Sequence, residues 1–202
     1  MAPKSTPARA RSAPAHATEF RRRLLRWFRR HGRDLPWRRT RDPYHVTVAE
    51  FMLQQTQVTR VEAYYHRFLD RYPTVESLAR SDPAMVREAW AGLGYYRRAA
   101  NLHLLAQTVV AEHAGIIPSD PERLLALPGV GPYATAQIMM LLGRYSRLIL
   151  DSWSRPKYAK VTGRKAGDKT IERRFGRYKQ YAGLAFWLYV TRDWVAEPAG
   201  IK

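Results

Sequence analysis

Three features of the sequence predict an all-α protein, its helices arranged as two lobes with a cleft between them. Apolar residues recur at helical spacing from Phe20 onward. No region is rich in strand signals. Turns containing Gly and Pro separate the apolar runs, and no internal repeat is visible.

Taken in order, residues 1–17 are Ala, Pro, Ser and basic residues with no acid before Glu19. They read as a disordered basic tail. The tail lacks the apolar stretch of a secretory signal, although a transit peptide shares its composition. Thr18 is the expected cap of a helix to about His31, with Phe20, Leu24, Leu25, Trp27 and Phe28 on one face and arginines on the other. Residues 33–44 form a loop with two prolines. Its Trp37 and arginines either stack on and hydrogen-bond a base, or pack the loop onto the core.

A helix follows over His45–Gln54, carrying Val46, Val48, Ala49, Met52 and Leu53. Glu50 lies among these apolar residues. Such a carboxylate is either raised in pKa and functional, or tied to a partner. Gln54-Gln55-Thr56-Gln57 is an uncharged polar cluster whose amides suit base edges, though polar turns also have this composition. Helices are expected at 58–71, 75–80 and 83–91. The run from Trp90 to Arg98 then makes a glycine turn tipped by Tyr95, Tyr96 and two arginines. It reads as a wedge that fills the space of an extruded base, or as aromatic packing at a helix start. The helix at 96–113 buries Ala99, Leu102, Leu105, Ala106, Val109 and Val110. Ser119 is the expected cap of a short helix that ends at Leu127.

The stretch Leu127-Pro128-Gly129-Val130-Gly131-Pro132-Tyr133 is a tight turn between two helices. Its glycines permit positive φ and leave backbone N–H groups uncovered at a helix start, where an anion is favoured. Pro132 fits the first turn of the next helix, which stops at Gly143. The apolar strip Leu148–Leu150 then delivers Asp151. Residues 155–179 hold ten Lys or Arg against two acids and read as a partly helical basic surface or a mobile loop. Residues 182–194 read as a closing core helix.

The formal charge of +18 over 202 residues implies a polyanionic partner. Nucleic acid fits better than a membrane, because no continuous apolar run reaches about 18 residues. The chain has no cysteine, which excludes disulfides, thiolate catalysis and any cysteine-ligated zinc or iron–sulfur cluster. Nothing in the sequence argues for an oligomer, so a monomer is expected.

The stretches LPWRRTRDPYHVTVAEFMLQQTQV, GLGYYRRAANLH, LPGVGPYATAQI and LILD, in that order over residues 20–151, resemble the helix-hairpin-helix (HhH-GPD) DNA glycosylases, and among them the MutY-like adenine glycosylases. The resemblance implies a two-lobed helical fold over residues 18–202, one lobe around 45–143 and the other from 18–44 plus 144–202. Double-stranded DNA with a mismatched or damaged base would bind across the cleft. By the same resemblance Asp151 stabilises the sugar cation and Glu50 protonates the leaving base. Tyr133 stands where relatives with lyase activity carry a nucleophilic lysine, which implies a monofunctional enzyme. Trp37, Arg38, Leu53 and Val58 match residues lining the base pocket. Gln55 and Tyr95 match residues that insert into the duplex, with Gln54 beside them on the DNA. The amides of Gly129, Val130 and Gly131 would hold a phosphate, directly or through a bound monovalent cation as the family does. No metal-ligand set is read in the sequence, and no other cofactor is implied. The expected place is cytoplasmic, on the nucleoid, with an organelle as the alternative.

The sequence also departs from this family. Gly-Asn usually follows the family aspartate, whereas Ser152-Trp153-Ser154-Arg155 follows here, reminiscent of the alkylpurine branch. The four-Cys iron–sulfur motif is missing from these residues, and the C-terminal domain that reads 8-oxoguanine opposite adenine is expected to be absent. Three readings follow. The first is excision of adenine opposite guanine or 8-oxoguanine. The second is the same chemistry on thymine or uracil opposite guanine, or on an alkylated purine. The third is a non-catalytic binder of damaged or structured DNA, against which the joint presence of Glu50 and Asp151 counts.

Overall fold

The structure, a computed structural model, describes residues 15–192, and every regular element among them is a helix. The expected tail up to residue 14, and residues 193 and 194 of the expected closing helix, lie outside the described residues. The chain divides into two units, one ending at Leu35 and one beginning at Pro36.

In the first unit α1 spans Ala15–His31. It starts before Thr18, which is therefore not its cap. The alanines at 15 and 17 favour helix over coil, so the end of the expected tail joins the helix. The last turn carries Arg29, Arg30 and His31, the charges that the C-terminal end of a helix dipole favours.

The second unit is built around α2, Pro43–Leu53. It begins two residues earlier than expected because Asp42-Pro43 is a complete start signal. The Asp42 carboxylate accepts from the Tyr44 and His45 N–H groups (2.8 and 3.1 Å), and Pro43 needs no N–H partner. Tyr44 and every residue from Val46 to Met52 are buried. A helix buried on all sides is a core helix rather than a surface one. After it come α3 (Val58–Arg71), α4 (Val75–Ala79), α5 (Pro83–Ala89) and α6 (Arg97–Glu112). Helices α3 and α6 pack on α2, while α4 and α5 pack on α6. Ala99, Leu102, Leu105, Ala106 and Val109 of α6 are buried as expected. Val110, at the edge of that strip, is exposed.

Helix α7 is Pro121–Ala126. Its cap is Asp120 and not Ser119, because Pro121 takes the first helical position and puts the capping carboxylate one residue later. That carboxylate accepts from the Glu122 and Arg123 N–H groups. Helix α8, Pro132–Leu141, packs on both α7 and α2. Arg41 donates to the Leu141 carbonyl at 2.7 Å, tying the end of α8 to the start of α2.

The basic segment is not a loop. It forms α9 (Ser154–Thr162) and α10 (Asp168–Gly176), followed by a short 3-10 turn at Lys179–Tyr181 and then α11 (Ala182–Val190). Tyr158, Ile171, Phe175, Phe186 and Val190 make a second apolar core, against which Leu148 and Leu150 pack. The lysines and arginines of residues 155–179 are exposed except Lys157 and Arg174, which are half-buried. Gly183 lets α11 approach the segment that leads to Asp151. Its N–H donates to the Tyr145 carbonyl (2.7 Å), and a side chain there would collide with the Arg147 carbonyl.

Candidate active site

Glu50 lies in the middle of α2 and is 5% exposed. Its neighbours on the helix, Ala49 and Phe51, are fully apolar and buried. Burial pushes its pKa up from the ordinary carboxylate value to about 8. At neutral pH this carboxyl therefore holds its proton. Leu53 and Val58, on either side of the turn that follows α2, are half-buried, and Arg38 is exposed. Trp37 is in the interior at 3% exposure, edge-on to Tyr65 with ring centroids 5.5 Å apart. Packing of its loop onto the core accounts for its burial.

The turn between α7 and α8 packs directly on α2 and α6. Gly129 has φ +74°, and a Cβ there would meet Asn101 Cβ at 2.8 Å and Phe51 Cε1 at 2.9 Å. The Val130 N–H is used inside the turn, donating to the Leu127 carbonyl at 3.1 Å. Among the described residues the Gly129 and Gly131 amides make no main-chain bond, so of the three expected amides these two remain for an anion. Tyr133 follows in the first turn of α8. Its hydroxyl accepts from Gln137 Nε2 at 2.9 Å. Burial raises the Tyr133 pKa; the Gln137 bond opposes this, and the charges of Glu50 and Asp151 add to the rise. Tyr133 therefore lies close enough to Glu50 and Asp151 to feel the charge of each.

Asp151 is half-buried at the entry to α9. Its carboxylate accepts from the Trp153 N–H (3.0 Å) and the Ser154 N–H (2.6 Å), and its own N–H donates to Ser154 Oγ (2.9 Å). Ser154 is fully buried. The unusual Ser-Trp-Ser after Asp151 therefore forms a reciprocal cap that holds the carboxylate in one orientation. Trp153 sits beside Trp187, with centroids 5.7 Å apart.

At the far end of α2, Gln55 has φ 55° and is exposed. In the glycine turn before α6, Tyr95 has φ 50° and is 62% exposed. Gln54, the residue after α2, is half-buried.

A family model described as "HhH-GPD superfamily base excision DNA repair protein" matches residues 48–183. The chain belongs to this superfamily. The matched span includes Glu50, Tyr133 and Asp151. The chain is 40% identical over 130 residues to an adenine DNA glycosylase of Mycolicibacterium smegmatis, covering 64% of this chain and 44% of that protein. It is 44% identical over 133 residues to the adenine DNA glycosylase of Rattus norvegicus, covering 61% of this chain and 26% of the relative. A thymine-DNA glycosylase of Aeropyrum pernix is 42% identical over 123 residues, covering 60% and 55%. The chain thus spans about half or less of the length of these curated relatives. Among solved structures, a thermostable thymine-DNA glycosylase superposes with a TM-score of 0.68 at 23% identity, covering 91% of both chains. An endonuclease III–DNA covalent intermediate superposes at 0.66 with 16% identity, covering 86% of this chain and 83% of that one. These two likenesses bear out the all-α HhH-GPD fold.

An iron–sulfur cluster does not fit this HhH-GPD chain. It has no cysteine to supply thiolates, and residues 155–179 are committed to α9 and α10 and their aromatic core. Sequence reasoning missed two residues that bond to candidate site residues, Ser154 and Gln137. Asp-x-x-Ser is a readable capping pattern. The i,i+4 spacing of Tyr133 and Gln137 is readable too.

Proposed function

We propose that this chain is a monofunctional DNA N-glycosylase of base excision repair that removes adenine mispaired with guanine or 8-oxoguanine. The observation that supports the reading is Glu50, a carboxyl buried in the apolar α2 and kept protonated by that burial, with Tyr133 within electrostatic reach of both Glu50 and Asp151.

Breaking an N-glycosidic bond puts negative charge on the base and positive charge on the sugar. Two carboxyl groups in opposite protonation states answer both demands. Glu50 gives its proton to a ring nitrogen of the extruded purine. The bonding pair leaves with the base, and the sugar becomes an oxocarbenium ion. Asp151, held by its two N–H donors, faces that cation as a carboxylate. Water then adds to the sugar, and its proton returns to Glu50. Tyr133 stands where lyase-active relatives carry lysine, so no covalent imine forms.

Extrusion costs a few kcal/mol, least for a mismatched or damaged base. Gln55 and Tyr95 fill the vacated stack, and the Gly129 and Gly131 amides take a phosphate. The charge of +18 supplies the remaining attraction to DNA. A second reading, thymine or uracil opposite guanine, is favoured by the 42% identity to a thymine-DNA glycosylase.

The test is a strand-cleavage assay on duplexes holding A opposite G or 8-oxoguanine, T or U opposite G, and an alkylpurine, each with and without hot alkali. Cleavage of the A-containing duplexes only after alkali is the expected result. Cleavage without alkali contradicts monofunctional chemistry. Binding with no excision on any duplex contradicts the enzyme.

A further inference from the structure

Arg98 is 8% exposed in the first turn of α6, and no carboxylate is among its hydrogen-bond partners. Its Nη1 donates to the carbonyls of Phe51 (3.0 Å), Met52 (2.8 Å) and Gln54 (2.5 Å). These belong to the last turn of α2 and its cap, where carbonyls have no helical partner and the dipole is negative. Its Nη2 donates to Thr56 Oγ1 (3.0 Å) and to the carbonyls of Leu93 (3.3 Å) and Gly94 (3.0 Å). The guanidinium also lies over the Tyr95 ring, 5.4 Å from its centroid.

Every one of these acceptors lies at the end of α2 or in one of the two turns that carry Gln55 and Tyr95. Gln54 and Thr56 flank Gln55, and Gly94 precedes Tyr95. Gln55 and Tyr95 are both exposed and held in the left-handed region, as are Ala114 and Lys179 elsewhere among the described residues. That conformation is costly outside glycine and persists only where the surroundings fix it. A buried arginine without a counterion is costly as well. Fold stability alone would be served by an apolar contact between the two turns. A planar fork is what bridges them at a set distance, with Nη1 on the end of α2 and Nη2 shared between Thr56 and the Leu93 and Gly94 carbonyls, and an ammonium has no such geometry.

We propose that Arg98 is a positioning residue that couples the Gln54–Thr56 turn to the Leu93–Tyr95 turn, so that Gln55 and Tyr95 enter a DNA duplex together as one wedge. The inference rests on the reading above for its substrate, duplex DNA, but not on the chemistry of base release.

The test uses a mispaired duplex with 2-aminopurine at the target position, whose fluorescence rises on unstacking. It compares the full chain with Arg98→Lys, Tyr95→Ala and the double variant at saturating protein. Arg98→Lys is expected to melt cooperatively, to bind DNA with the same salt dependence, and to lose about tenfold in the opening equilibrium. The double variant is expected to match Tyr95→Ala alone, a non-additivity that loss of stability would not produce. Unchanged opening by Arg98→Lys overturns the proposal, and so does an additive double variant. Should Arg98→Lys fail to fold, Thr56→Val deletes one of the bridging bonds from the other turn. It is expected to weaken opening in the same direction, and unchanged opening there also overturns the proposal. If the unsubstituted chain opens the duplex without releasing a base, the glycosylase reading fails and the role of Arg98 stands. If it opens none of the mispairs, the wedge fails.

Discussion

Ser154 and Asp151 cap one another: the Ser154 N–H donates to the Asp151 carboxylate at 2.6 Å, and the Asp151 N–H returns to Ser154 Oγ at 2.9 Å. The carboxylate proposed to face the sugar cation is thus oriented by the helix start it caps. Ser154→Ala removes one half of the pair in a fully buried position. The expected cost is about 1 kcal/mol in thermal or urea unfolding, with a fall of about tenfold in single-turnover excision from the loosened carboxylate. Unchanged excision would mean that the cap serves the helix alone.

Glu50 makes stability depend on pH. Its folded pKa, raised to about 8, lies above the unfolded value. The fold therefore binds a proton that the unfolded chain releases as pH rises above the ordinary carboxylate range. Stability is full below about pH 4.3, falls as pH rises, and stops falling near pH 8, where the folded group ionises too. Glu50→Gln has no proton to retain. It should raise stability at pH 7 by about 3 kcal/mol relative to its effect at pH 4, measured by urea unfolding at both pH values. The same group predicts an excision rate that declines above about pH 8, where the acid is lost.

Gly129 and Gly131 separate the conformational from the functional use of a glycine turn. Gly129→Ala forces a side chain onto φ +74° and into Asn101 and Phe51. The expected loss is about 2–4 kcal/mol. A side chain at Gly131 meets nothing within 4 Å, so Gly131→Ala should leave the melting temperature nearly unchanged. If the turn holds a phosphate, that variant should still weaken DNA binding and lower its salt dependence.

The second core is expected to unfold as part of the molecule. Phe175 packs edge-on to Phe186 (5.4 Å) and Tyr189 (5.5 Å). Phe175→Ala should cost about 3–5 kcal/mol by calorimetry or urea unfolding. A loop with a basic surface and no core would lose almost nothing.

Much of the site was legible because it breaks local rules. A glutamate inside an apolar helix, and a Gly-Val-Gly turn before a proline-initiated helix, both conflict with their surroundings. Such conflicts mark function in a sequence. Helix limits were legible wherever caps were unambiguous, and moved where two caps were adjacent, as at Ser119 and Asp120. For the 155–179 segment the helical alternative holds, but its core was not legible, because charge is counted along the chain while its aromatics meet only in three dimensions. Tyr158 finds Phe175 and Phe186 through two turns that composition does not reveal. Arg98 was invisible for a related reason. It follows Arg97 in a basic run, and what distinguishes it is a set of main-chain carbonyls from another helix.

Single-turnover excision by Glu50→Gln and Asp151→Asn, with DNA affinity measured beside it, tests the central claim most directly. The account predicts that each variant folds and binds the mispaired duplex with affinity like that of the unsubstituted chain, and that neither releases the base. Base release by both variants at near-normal rates would contradict the two-carboxyl mechanism.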